Sequence, residues 1–351
     1  MDRPDLSRVE PEIAAYIESL EARLEQLESK RGVRGGRARD ELEAEFELPL
    51  EPDEPPTTWS LITLSAAGCA KRTPRHLYSR QRRGGMGIFD LDVPEADPPA
   101  FLAIADEGQD LILLTNLARA FRLPVDSLPL LPVRGRGESI TARLPLGAEE
   151  RLAAVLPRQD SGYVALLSQS GAVRCLRHHY FGESLDSEVS LYNLNTFGPL
   201  AAACWTAGNA DLFIATRQGR AIRFSEKQVS VQGSPGIRLD KGDRAVAVAP
   251  VRQDSAVFLL SAGGKGTIRL MAGFAPNKSP GAGGKVAINT DQLVGAVSVQ
   301  DDDDLFIISR LSKIIRFKAG EVPAKEGVVQ GVHCMALRAD ETVATASSPK
   351  A

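Results

Sequence analysis

Six short apolar runs, each ending in serine or threonine, divide this chain at a nearly constant interval. They read SLITLS, DLILLT, YVALLS, DLFIAT, AVFLLS and DLFIIS. Their anchor residues, Leu61, Leu111, Val164, Leu212, Val257 and Leu305, are 50, 53, 48, 45 and 48 residues apart, and 46 residues follow the last. A period of this length marks a repeat architecture, in which one unit buries its faces only against copies of itself. Each run is followed by a small-residue turn and a second run that brings up a basic residue. The examples are AAGCAKR to Arg72, LARAFR to Arg122, RQGRAIR to Arg223, GGKGTIR to Arg269 and RLSKIIR to Arg316. The third unit departs, with Cys175 where arginine is expected. A Gly-rich loop and a third apolar segment close each unit, as in QGSPGIRLDKGDRAVAVAPV.

Apolar and β-branched runs of this length, bounded by Gly and Asp, read as strands, and no long helical periodicity interrupts them. Six units of about four strands predict an all-β fold, a six-bladed β-propeller, which leaves only short protected edges. The period alone leaves kelch-like and WD-like propellers equally open.

Residues 1–56 are different. They hold 8 Lys/Arg and 16 Asp/Glu, a net of −8, whereas the rest of the chain has a net of +5. Ile13, Ile17, Leu20, Leu24 and Leu27 follow a 4-3-4-3 spacing, which predicts an amphipathic helix or short coiled coil over residues 1–33. Two or three heptads are marginal alone in water, so such a helix needs a partner, a second copy or another protein. Residues 34–56 include DELEAEFELPLEPDEPP and read as an acidic, Pro-rich linker. The expected partition is therefore 1–33, 34–56 and a propeller over 57–351. No apolar run approaches the roughly 20 residues of a membrane helix. The acidic start MDRPDLSRVEPE has no signal-peptide core, so a cytoplasmic location is expected. Cys69, Cys175, Cys204 and Cys334 are scattered and read as reduced thiols. Cys175 with His178 and His179 is the one metal-like spacing, without a second ligand pair. The carboxylates Asp301 to Asp304 read as an acidic loop ahead of a strand, with magnesium as the alternative. Neither cofactor nor metal is expected.

The stretch QRRGGMG, residues 81–87, carries the clearest chemistry. Arg82 and Arg83 supply planar, permanently charged forks that suit phosphate oxygens. Gly84, Gly85 and Gly87 let backbone N–H groups approach an anion closely. On composition alone a phosphate-gripping loop and a basic solvated turn remain open. The stretch resembles the gyrase box, Q-R-R-G-G-K-G, found in the C-terminal domain of DNA gyrase A, with Met86 where that family has lysine. The preceding LSAAGCAKRTPRHLYSR is similar to the opening of the same domain.

The resemblance runs from about Thr57 to the C-terminus and implies a gyrase-type pinwheel that bends duplex DNA around a basic outer rim. It implies DNA contacts at Gln81, Arg82, Arg83, Gly84, Gly85 and Gly87. By repeat register it adds Lys71, Arg72, Arg75, Arg80, Arg122, Arg223, Arg269 and Arg316. It also implies a nucleoid-associated protein, partnership with the subunits of a type II topoisomerase, and no catalysis by this segment. None of Tyr16, Tyr78, Tyr163, Tyr180 and Tyr192 follows the arginine that precedes that family's cleaving tyrosine. No P-loop, G-x-S-x-G or paired-carboxylate arrangement is present either. A propeller kept for protein interaction, docking through the N-terminal helix, is the alternative from a different class.

Overall fold

The computed structural model describes residues 54–348. The helix expected within residues 1–33 lies outside them. In chain order the first unit contains β1 (Trp59–Ser65), β2 (Cys69–Pro74), β3 (Ile88–Phe89) and β4 (Pro99–Asp106). The second contains β5 (Asp110–Thr115), β6 (Ala120–Pro124), β7 (Glu138–Ser139) and β8 (Leu152–Pro157). The third has β9 (Tyr163–Ser168), β10 (Ala172–Arg177) and β11 (Leu200–Thr206), with a one-turn helix, α1 (Leu194–Phe197), in place of a short strand. The fourth has β12 (Asp211–Thr216), β13 (Arg220–Ser225), β14 (Ser234–Pro235) and β15 (Ala245–Val251). The fifth has β16 (Ala256–Ser261), β17 (Lys265–Leu270), β18 (Lys285–Val286) and β19 (Leu293–Val299). The sixth has β20 (Asp304–Ser309), β21 (Lys313–Lys318), β22 (Val332–His333) and β23 (Thr342–Ser348).

The units form six antiparallel sheets, the blades of an all-β six-bladed propeller. The last strand of each unit packs against those of its neighbours and so lies innermost. The first strand is central and the second lies outside it. Central strands are buried on both faces, which is why they read as continuous apolar runs. Successive side chains point to opposite faces, so Leu212 and Ile214 enter the core toward the third blade while Phe213 and Ala215 enter the one toward the fifth. Each of the six core clusters lies between consecutive blades.

The short strands do not stay with their own units. β7 pairs with β2, β14 with β10, β18 with β13 and β22 with β17, so each unit supplies the outermost strand of the blade before it. β3 does the same for the sixth blade, with Lys313 opposite Phe89 and Ile314 opposite Ile88, and this closes the ring. The second blade is the exception and has three strands. There the connector of the third unit, residues 178–199, donates from Leu191 N–H to the Ala118 carbonyl at 2.7 Å without forming a strand.

One glycine recurs where these connectors enter their strands. A Cβ on Gly87 would sit 2.6 Å from the Ile314 carbonyl oxygen, and one on Gly137 would sit 2.8 Å from that of Ala70. Gly233, Gly284 and Gly331 stand at the same place. The backbones approach too closely there for any side chain.

Candidate nucleic-acid interface

The QRRGGMG stretch is the connector that closes the ring. Gln81 N–H donates to the Arg316 carbonyl at 2.7 Å, Gly84 N–H to that of Cys334 at 2.9 Å, and Ala336 N–H to that of Gly85 at 2.9 Å. Gly84 and Gly87 take φ of +83° and +70°. The two arginines have separate fates. Arg83 lies against the sixth unit, where Nε donates to the Glu321 carbonyl at 2.9 Å and Nη1 to that of His333 at 2.6 Å. Arg82 is exposed, and its guanidinium has no protein partner among the described residues. Met86 beside it is 49% exposed. Gln81 and Gly85 are half-buried.

The other basic positions expected on the rim are elsewhere. Lys71, Arg75, Arg223, Arg269 and Arg316 are buried. Lys71 Nζ lies 2.8 Å from Asp90 Oδ1. Arg80 Nε donates to Asp304 Oδ1 at 2.7 Å. Arg72 donates to the Leu128 carbonyl at 3.1 Å and faces Glu107 at 3.5 Å. The physical reason is a repeated ion pair. The first residue of a unit's first strand is diagonal to an arginine on the second strand, and such neighbours share a face. Arg122 pairs in this way with Asp110 at 2.6 Å, Arg223 with Asp211 at 2.8 Å and Arg316 with Asp304. Arg122 is the exposed member of that set, but its charge is already matched. Arg223 also donates to the Met271 and Phe274 carbonyls and Arg316 to those of Arg75 and Tyr78, in the next unit round the ring. Asp304, the last of the four consecutive aspartates, is used there too.

Arg269 departs from the register. Phe213 faces Arg223, and at the corresponding place Phe258 faces Ile268, so Arg269 stands where the fourth unit has Phe224. A slip of one residue turns a side chain to the opposite face. Arg269 is directed at carbonyls instead, of Ala287 and Lys325 at 2.6 Å each and of Gly327. Burial lowers its pKa, and the charge of Glu326 opposes that. Cys175 does take the arginine's place in the third unit, opposite Ala165. Burial first, then the charge of Glu226, pushes its thiol up to about 12. Among the described residues no three His, Cys, Asp or Glu side chains are grouped as metal ligands.

Glu54, within the stretch read as linker, reaches the closure. Its carboxylate accepts from Arg75 Nε at 2.9 Å and pairs with Arg316. Burial acts to raise its pKa, but hydrogen bonds and charge from Arg316 and Arg75 outweigh that and hold it below the usual value.

Exposed cations sit on the connectors instead, around the outer strands. They include Arg82 in the first unit, Arg134 and Arg136 in the second, and Lys227 and Arg238 in the fourth. Lys278 and Lys285 follow in the fifth and Lys325 in the sixth. Carboxylates are interleaved, so the rim is a string of separate cationic points rather than a continuous band. The connector of the third unit has no Lys or Arg and exposes Glu183, Asp186 and Glu188.

A family profile described as "DNA gyrase C-terminal domain, beta-propeller" matches residues 60–97, 109–157, 210–252 and 303–350. The chain belongs to this family. Among curated relatives, the gyrase A protein of Salmonella typhimurium is 28% identical over 295 residues. That match covers 81% of this chain and 34% of the relative. The gyrase A protein of Mycolicibacterium smegmatis is 26% identical over 371 residues, 97% of this chain and 43% of the relative. The chain thus spans well under half the length of these relatives. A solved structure of a DNA gyrase A C-terminal domain shares the fold with a TM-score of 0.73 and 21% identity, over 82% of this chain and 99% of that one. A topoisomerase IV C-terminal domain follows with a TM-score of 0.60 and 19% identity, over 84% and 95%.

Proposed function

We propose that this member of the gyrase C-terminal domain family binds duplex DNA along its connector rim and bends it around the propeller, as a non-catalytic component of a type II topoisomerase system. The observation that carries the reading is the box itself, at the ring closure with Arg82 exposed and unpartnered among the described residues. Four of the other five connectors place further exposed cations on the outer edge. Isolated cations neutralise phosphates without reading bases, so binding is salt-dependent and indifferent to sequence. On this reading the chain divides into residues 1–33, 34–56 and 57–351, with residues 10–30 as the homodimer or docking element. The protein on this reading is nucleoid-associated.

The test is ligase closure of nicked circular DNA with and without the protein. The expected result is a shifted linking-number distribution, in the positive direction if the wrap has the family's hand. Arg82→Ala reduces the shift while leaving the fold intact, because that guanidinium bonds to no other described residue. A distribution identical to the protein-free control overturns wrapping and favours the protein-interaction propeller.

A further inference from the structure

The connector of the second unit repeats the box geometry fifty residues later. Leu131 N–H donates to the Arg72 carbonyl at 3.0 Å, as Gln81 N–H does to that of Arg316. A Cβ on Gly135 would meet Leu131 and the Pro132 carbonyl, and one on Gly85 would meet Gln81 and the Arg82 carbonyl. Gly137 packs on the Ala70 carbonyl as Gly87 does on that of Ile314. Residues 131–137, LPVRGRG, therefore occupy the place in the second unit that QRRGGMG occupies in the first. In this register Arg134 stands at Gly84 and Arg136 at Met86, the position at which the related box has lysine.

Both guanidiniums are exposed and neither has a partner among the described residues. Arg134 holds φ +66°, a left-handed conformation that Gly84 shares and that arginine rarely adopts. The two turns are joined, since Asp92 N–H, just past the box, donates to the Gly135 carbonyl at 3.1 Å. The corresponding turns of the fourth, fifth and sixth units read SVQG, GAGG and VVQG and contain no cation.

We propose that residues 134–137 form a second phosphate-gripping turn, which takes the phosphodiester backbone of duplex DNA next to the box and supplies at Arg136 the cation that Met86 lacks. This rests on the DNA-binding reading above. The second turn complements the first, because Arg83 is committed to the ring closure and Arg82 alone remains free there. Two adjacent turns then hold three unpartnered guanidiniums, which can grip neighbouring phosphates of one segment.

The experiment measures binding of the full chain to a duplex of fixed length across a salt series. Arg134→Gly with Arg136→Ala removes both charges, and glycine accepts the left-handed backbone, so the thermal melt should be unchanged or raised. Each lost phosphate contact lowers the slope of log K against log salt by about 0.9, so the double variant should lose about two units. Met86→Lys added to Arg136→Ala should regain about one unit, as should Arg136→Lys. A wild type that binds and a double variant with an unchanged slope overturn this proposal alone. No gain from Met86→Lys overturns the equivalence of the two positions. A wild type that binds no duplex overturns the DNA reading and the second turn with it.

Discussion

Lys71 and Asp90 form an ion pair with neither side chain exposed, 2.8 Å from Nζ to Oδ1. Lys71 lies on the second strand of its unit and Asp90 directly follows the strand that closes the ring. Tyr78 Oη and Thr63 Oγ1 donate to the same carboxylate at 2.7 and 2.8 Å, and Lys71 also donates to the carbonyls of Asp90 and Pro132. Burial lowers the Lys71 pKa, and the Asp90 charge acts against it.

Removing one member of such a pair leaves a buried charge without compensation. Lys71→Met should therefore lower stability by about 3–5 kcal/mol in a denaturant titration. Adding Asp90→Asn, which removes the orphaned charge and keeps an acceptor, should recover a large part of the loss. A loss under about 1 kcal/mol for the single variant would mean that water reaches Asp90.

Glu54 makes the closure sensitive to acid. Its pKa is lowered in the folded protein from an ordinary value of 4.5. A carboxylate lowered by folding contributes stability that is present above the unfolded pKa and lost as pH falls through the folded one. Wild-type melting should thus fall between about pH 5 and pH 3 more steeply than that of Glu54→Gln, which lacks this contribution at every pH. At pH 7 the substitution should cost about 2 kcal/mol, a melting shift of a few degrees. Removal of residues 1–56 should reproduce that loss, and removal of residues 1–52 should not. Parallel pH profiles for wild type and Glu54→Gln would sink the assignment.

The propeller was legible because its central strands are buried on both faces, which left six apolar runs at one period. The exchange of outer strands was not, because two-residue strands such as Ile88–Phe89 carry too little pattern to show which blade they join. The arginines at 72, 122, 223 and 316 were legible in register but not in role. An arginine diagonal to an aspartate on the adjoining strand satisfies the blade at 122, 223 and 316, and the Asp-to-Arg spacing of Asp110 with Arg122 and Asp211 with Arg223 held that signal. Arg134 and Arg136 had a signal as well. They lie fifty residues beyond Gly84 and Met86, the same step as from Leu61 to Leu111.

Gly87 and Gly84 separate close packing from backbone freedom. Gly87→Ala combines φ +70° with a Cβ 2.6 Å from the Ile314 carbonyl oxygen. It should cost about 3 kcal/mol and loosen the ring at β3. Gly84→Ala meets nothing nearer than 3.5 Å and should cost only the left-handed strain, about 1 kcal/mol. Urea midpoints of the two variants, with amide exchange at Ile88 and Phe89, measure the difference. Equal losses would mean that the Gly87 contact relaxes at no cost.

The third unit should be where the DNA path breaks. Duplex DNA has a persistence length of about 150 base pairs, so each stretch of bend needs contacts that offset its deformation cost. Residues 178–199 offer none. They expose Glu183, Asp186 and Glu188, lack Lys and Arg, and supply no outer strand to the second blade. Each connector has at least one large exposed apolar residue that can be exchanged for a photo-crosslinking amino acid, for example Met86, Leu130, Val189, Val231, Val286 and Val328. Irradiation with a duplex longer than the propeller's circumference should crosslink five positions and leave Val189 at background. Reversing Glu183, Asp186 and Glu188 to lysine should bring position 189 into contact and lengthen the footprint on the DNA. Crosslinking at Val189 as strong as at Met86 in the unaltered protein would show that the duplex crosses this connector despite its carboxylates, and would reject the break.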